Sequence, residues 1–154
     1  MKIIVDSREQ APFDFSPFED CEVVNGTLDT GDYSVLGFAS EIAVERKSID
    51  DLIGCLTHDR DRFRRELERL RGYGSALLVI ETPFNAIRGG IYRGQMNPEA
   101  AAQSVISMTQ KYRLPVFFAS SKTEGAYFTF HFLRHFLRHE AERVKRVQFA
   151  GGSK

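Results

Sequence analysis

The chain has 154 residues, 42% of them apolar, with thirteen Phe and no Trp, which suits one domain with a sizeable core. Its 21 basic and 21 acidic residues cancel, so a nucleic-acid surface is expected only where charges segregate. No apolar run is long enough to span a bilayer, Met1–Asp6 meets an acid too early for a signal peptide, and two cysteines exclude a disulfide framework or a zinc site and fit a reducing cytoplasm.

Lys2 to Val5 reads as a buried strand ending at Asp6. Residues 9 to 20, with Pro12 and Pro17, read as a loop, and Glu22 to Leu28 as a second strand. Tyr33 to Leu36, turning at Gly37, and Glu41 to Lys47 read as a strand pair. Ser48-Ile49-Asp50-Asp51 fits a capping box that opens a helix to about Leu56. Asp59 to Arg71 is a second helix, with Phe63, Leu67 and Leu70 on one face and Gly72 and Gly74 ending it. Ala76 to Ile80 is a continuous apolar run, as in a strand covered on both faces. Pro83 can open a short helix before the glycines at 89, 90 and 94. Asn97-Pro98-Glu99 is an N-cap with Pro at the first helical position, leading a helix to about Tyr112. Pro115 to Ala119 is a last strand and Thr123 to Val147 a long terminal helix; residues 149–154 read as a disordered tail after one domain spanning 1–148. Strands first, then alternating helices and strands, predict an α/β fold with a mixed central sheet flanked by helices.

The run Val44-Glu45-Arg46-Lys47 carries the chemistry. Side chains alternate across a strand, so Glu45 and Lys47 share a face and Arg46 points away. A carboxylate and an ammonium on one face can serve a metal and a nucleophilic water together. Gly31-Asp32 supplies a second acid at a turn, and Asp6 a third at the end of the first strand. Hard oxygen donors of this kind suit Mg²⁺ or Mn²⁺.

Three ordered blocks, Asp6-Ser7-Arg8-Glu9, then Leu28-Asp29-Thr30-Gly31-Asp32-Tyr33, then Val44-Glu45-Arg46-Lys47-Ser48-Ile49-Asp50-Asp51, resemble the nuclease domain of the XPF family of structure-specific endonucleases. That family's pattern is Gly-Asp, a short gap, then Glu-Arg-Lys-x-x-x-Asp. The resemblance implies a restriction-endonuclease-like fold and a Mg²⁺- or Mn²⁺-dependent DNA endonuclease acting in DNA repair on branched, forked or flap structures. It implies a cut that leaves a 3′-hydroxyl and a 5′-phosphate. The alternative is a catalytically idle DNA-binding or scaffold module that works with a partner nuclease. Larger members of the family carry a tandem helix-hairpin-helix module, which these residues do not contain.

The residues matching the pattern become candidates one by one. Asp32 and Glu45 are the expected metal ligands, with Asp6 a third ligand or an acceptor that orients Lys47 or a water. Lys47 would sit beside the attacking water and the scissile phosphate. Arg46 carries importance by resemblance and would pair with Asp51 or another acid under the sheet. Asp51 matches the pattern, yet helix capping alone accounts for it. Arg8 would grip a phosphate or lock Glu9 and Asp6. Arg60 and the stripe Arg62, Arg65 and Arg69 suit phosphate contacts. The competing reading is a solvated helix face laced by Asp59, Asp61, Glu66 and Glu68. Arg88, Arg93 and Gln95 lie in a Gly-rich loop that could meet DNA. His131, His135 and His139 read as a polar stripe rather than a metal site. Phe128, Phe130, Phe132, Leu133, Phe136 and Leu137 cover more than one side of the last helix, which predicts a second cover and a homodimer.

Overall fold

A computed structural model describes residues 1–150 of the chain. Six strands form one sheet: β1 (Lys2–Asp6), β2 (Glu22–Gly26), β3 (Tyr33–Val35), β4 (Ile42–Ser48), β5 (Ser75–Glu81) and β6 (Val116–Phe118). Five helices cover it: α1 (Ile49–Thr57), α2 (Arg60–Arg71), α3 (Phe84–Arg88), α4 (Pro98–Tyr112) and α5 (Lys122–Ala150). The strand order is β2-β1-β3-β4-β5-β6. Only β3 runs antiparallel to its neighbours; β1–β2, β4–β5 and β5–β6 are parallel pairs. The mixed sheet flanked by helices is as the sequence predicts, with strand ends shifted by one or two residues.

Alternation divides the core into two layers. Ala43, Leu78 and Ile80 face α1, α2 and α4 through Leu52, Ile53, Phe63, Leu67, Leu70, Ala102 and Val105. Ile3, Val5, Tyr33, Val35, Ile42, Val44, Leu77 and Val79 face α5 on the other side. The loop at residues 9–20 belongs to this second layer. Phe13 and Phe15 are buried, the Phe13 ring stacks on Tyr33 at 5.2 Å, and the Phe13 amide donates to the Tyr33 hydroxyl. Hydrophobic burial, not regular secondary structure, holds this segment.

The second strand is shorter than expected, because the chain leaves the sheet at Gly26 and buries Leu28 instead. The capping box forms: Ser48 Oγ accepts from the Asp51 amide and donates to its carboxylate. Asn97 caps α4 on the Ala100 amide, and Pro83 precedes the short α3.

The apolar surplus on α5 is covered within the chain, so it does not call for a second cover. Phe128 stacks on Phe117 at 3.8 Å, Phe130 on Phe18 at 4.2 Å, and Phe136 meets Phe38 edge-on at 5.4 Å. These partners come from segments remote in sequence, so the helix alone could not reveal them. Beyond residue 140 every described position of α5 is exposed, including Val144, Val147 and Phe149. Phe149 and Ala150 continue the helix; the rest of the expected tail, 151–154, lies outside the described residues. Among the described residues no helix is long and apolar enough to cross a membrane.

Candidate active site

The parallel strands β1, β4 and β5 end at one edge of the sheet, and the start of β3 returns to that edge. Gly31 makes this return possible. It holds φ +85°, and a Cβ there would lie 3.0 Å from the Val44 carbonyl oxygen, so only glycine fits without strain. Asp32 then sits between two strands. Its amide donates to the Val44 carbonyl at 2.8 Å, and its carbonyl accepts from the Asp6 amide at 2.9 Å. Its Oδ2 accepts from the Arg46 amide at 2.8 Å. The acid is fixed by backbone on three sides.

Glu45 and Lys47 share the face of β4 that alternation assigned to them. Lys47 Nζ donates to Glu45 Oε1 at 2.9 Å, and both side chains are buried. Burial pushes the Asp32 carboxyl up to about 6, reinforced by Glu9 and Glu66 and opposed by the Arg46 amide and Lys47. Glu45 is pushed well above its usual range in the same way, by burial first and then by Asp32 and Glu66, against the pull of Lys47. Lys47 moves upward as well: burial disfavours its charge, but the facing carboxylates of Glu45 and Glu66 outweigh that. In the metal-free site Lys47 is therefore held as an ammonium.

Of the two roles expected of Asp6, third ligand or orienting acceptor, its hydrogen bonds are those of an acceptor. Its carboxylate accepts from Arg8 Nε at 2.8 Å, Arg8 Nη2 at 3.0 Å, the Arg8 amide and the Leu28 amide. The Arg8 guanidinium holds it down to about 2, despite burial. With its oxygens engaged this way, Asp6 anchors the 26–32 connection and Arg8. Arg8 also donates to the Leu28 carbonyl and remains 69% exposed. It locks Asp6 but not Glu9.

Glu9 belongs to Arg46 on the opposite face. The Arg46 guanidinium forms a bidentate pair with Glu81, both distances 2.8 Å, and reaches Glu9 at 3.2 Å. It also lies 5.7 Å from the centre of the Phe13 ring. Arg46 thus pairs with acids under the sheet and not with Asp51. Asp51 is exposed and bonds Ser48 in the helix cap.

The arginine segment divides between its two readings. Arg64 pairs with Glu68 at 3.2 Å and Arg62 with Asp59 at 3.7 Å, as a solvated face would. Arg69 instead donates to the Thr30 hydroxyl at 3.2 Å, beside the Asp32 turn. Arg60, Arg62, Arg65 and Arg69 are all exposed. Arg93 is exposed too, its amide tied to Asp50 at the start of α1.

Glu66 is the site residue that sequence reasoning misplaced. It does not lace the helix surface but reaches Lys47 Nζ, with Oε2 at 3.2 Å. Its place beside the buried Phe63, Leu67 and Leu70 is the signal that could have found it, since an acid at the border of an apolar stripe is half-buried and wants a partner. His131 lies against Phe18, Phe130 and Tyr127, and His135 against His139. Among the described residues no three acid, histidine or cysteine side chains converge to hold a metal by themselves.

Asp32 and Glu45 nonetheless fit a divalent cation. They are two carboxylates at one sheet edge, both driven toward protonation by burial and by neighbouring acids, and a 2+ charge would relieve both. Mg²⁺ is commonly held by one or two carboxylates, with water and substrate phosphate completing the shell.

The family model described as the ERCC4 domain matches residues 5–132. Among solved structures, the chain is similar to XPF from Aeropyrum pernix, with a TM-score of 0.68 and 23% identity over 87% of this chain and 60% of that one. It is similar also to XPF from Aeropyrum pernix in complex with DNA, with a TM-score of 0.68 and 21% identity over 89% and 65%. The chain thus spans less than two thirds of either of those chains. A comparison with curated proteins found no match. The structural likeness fixes the fold as restriction-endonuclease-like.

Proposed function

The chain belongs to the ERCC4 domain family, and from that premise we propose that it is a Mg²⁺- or Mn²⁺-dependent endonuclease that hydrolyses DNA phosphodiester bonds at branched, forked or flap structures. The observation that carries this reading is the acid pair of half-buried Asp32 and buried Glu45 at the ends of adjoining strands, beside an ammonium held 2.9 Å from Glu45. A relative in this fold has been solved in complex with DNA, which supports DNA as the substrate class.

Asp32 and Glu45 would hold the divalent cation, which when bound supplies the Lewis acidity that makes water a nucleophile at neutral pH. The chain's own groups do the rest. The Arg46 amide keeps Asp32 oriented, and Glu45 keeps the Lys47 ammonium at the site. Lys47 offers fixed positive charge to the phosphate as it gains negative charge in the transition state. The 3′-hydroxyl and 5′-phosphate products follow from the family resemblance. Incubation of the protein with flap, fork, single-strand and plain duplex DNA, with Mg²⁺, Mn²⁺ or EDTA, tests the proposal. Metal-dependent cutting of a branched DNA is the expected result. Binding without cutting in every metal would instead identify an idle DNA-binding module.

Phosphate contacts are assigned to Arg60, Arg62, Arg65 and Arg69, whose helix borders the site through Glu66 and Arg69. Replacing Arg62, Arg65 and Arg69 by Ala should weaken binding to all sequences alike. The slope of log affinity against log salt should shrink by about 0.7–0.9 for each phosphate that is no longer neutralised. A slope that does not change would return these arginines to a solvated helix face.

The chain is also proposed to form a homodimer. With the packed half of α5 covered internally, the support moves to Val144, Val147 and Phe149, which stand exposed on the half that clears the sheet. Sedimentation equilibrium at micromolar concentration should give twice the chain mass, and a monomer mass at all concentrations would refute the assembly.

A further inference from the structure

We propose that Glu66 is a positioning residue, which holds the Lys47 ammonium from a second element and ties it to the arginine-bearing helix α2. This inference rests on the endonuclease reading for its catalytic consequence, but not for its geometry.

Lysine is a long, flexible side chain, so one partner on its own strand leaves its head group free to swing. Here two carboxylates from separate elements meet it. Glu45 Oε1 of β4 lies 2.9 Å from Nζ, and Glu66 of α2 presents Oε2 at 3.2 Å and Oε1 at 3.5 Å. Phe63, about one turn before Glu66, places its ring 5.3 Å from the same ammonium. Arg69, about one turn after, bonds Thr30, two residues before Asp32. A single helix therefore touches both halves of the site, the lysine and the Asp32 turn. Phosphates that engage Arg62, Arg65 or Arg69 would set the position of this helix, and Glu66 passes that position to Lys47.

Two other roles compete. Glu66 could be a plain counter-charge that only stabilises the fold, or it could itself bind the cation. Its oxygens lie 3.2 and 3.5 Å from the Lys47 ammonium, and the Mn²⁺ titration below separates the second role from positioning.

The test uses Glu66→Gln, which keeps the shape and removes the charge, and Glu66→Asp, which keeps the charge and shortens the reach. In metal-free, DNA-free protein, acylation of Lys47 by an activated ester, followed by mass spectrometry, should be severalfold faster in the Gln variant and intermediate in the Asp variant. Turnover should fall roughly 10- to 100-fold in Glu66→Gln, the range for partners that orient a reacting group. KM for DNA and calorimetric Mn²⁺ affinity should stay as in the wild type, with partial recovery of turnover in Glu66→Asp. If Glu66→Gln does not fold, the Asp variant carries the same readouts. Unchanged acylation overturns the proposal whether or not the wild type cuts DNA. Wild-type turnover in Glu66→Gln, or weakened Mn²⁺ affinity, overturns it as well. Faster acylation in a protein whose wild type cuts nothing keeps the grip on Lys47 and discards the endonuclease reading instead.

Discussion

Asp32→Asn and Glu45→Gln should each abolish the proposed metal-dependent cleavage, by about 10³-fold or more, as is typical when one member of a group that acts as a unit is removed. Both substitutions keep volume and shape. Asn at 32 can still accept from the Arg46 amide, and Gln at 45 can still accept from Lys47 Nζ. What each loses is a negative oxygen ligand. Lys47→Ala should lose most turnover while Mn²⁺ affinity persists, since the ammonium is not a ligand. Single-turnover cleavage beside calorimetric titration with Mn²⁺ separates these outcomes. Near-normal cutting by any one variant removes that residue from the site.

The metal-free protein should lose the contribution of Asp32 to its stability as pH rises from about 4.5 to 7, and Asp32→Asn should remove that loss. Asp32 has a folded-state value raised from 3.8 to about 6. The folded form therefore binds this proton more tightly than the unfolded chain does. Its contribution is full below the unfolded value and is lost as pH rises through about 6. A rise of this size corresponds to at most about 3 kcal/mol, or roughly 6–12 °C in Tm for a chain of this length. Glu45 moves in the same direction, and the groups that bear on Asp32 are Glu9, Lys47 and Glu66 as well as the Arg46 amide. Asp6, held down to about 2, acts only at lower pH and in the opposite sense. Added Mn²⁺ at pH 7.5 should recover the lost stability, because it binds the ionised pair. Thermal melts of the two proteins across this range decide the matter; parallel profiles would mean that Asp32 carries no such strain.

What could be read in the sequence depended on how local its cause was. The faces of Glu45, Arg46 and Lys47 follow from a period of two, and the structure keeps them because β4 is a central strand with both faces buried. The caps at Ser48 and Asn97 are set by residues three apart and were equally plain. Glu66 was hidden because its partner lies 19 positions away, while a nearer arginine on the same helix offered an ordinary pairing. Phe13 and Phe15 sit among prolines with no period, so their burial depends wholly on Tyr33 and its neighbours. The Phe surplus of α5 misled for the same reason: a helix shows how much apolar surface it carries, but not whose side chains will meet it.

Arg46 joins the two layers through a single residue. Its amide orients Asp32 on one face, while its guanidinium is clamped by Glu81 and Glu9 and lies near Phe13 on the other. The candidate site is thus mechanically continuous with the layer on the opposite face of the sheet. A random mutagenesis screen scored on cleavage would collect hits around Phe13 and Glu81, and second-site revertants of a weakened Asp32 turn would arise there too.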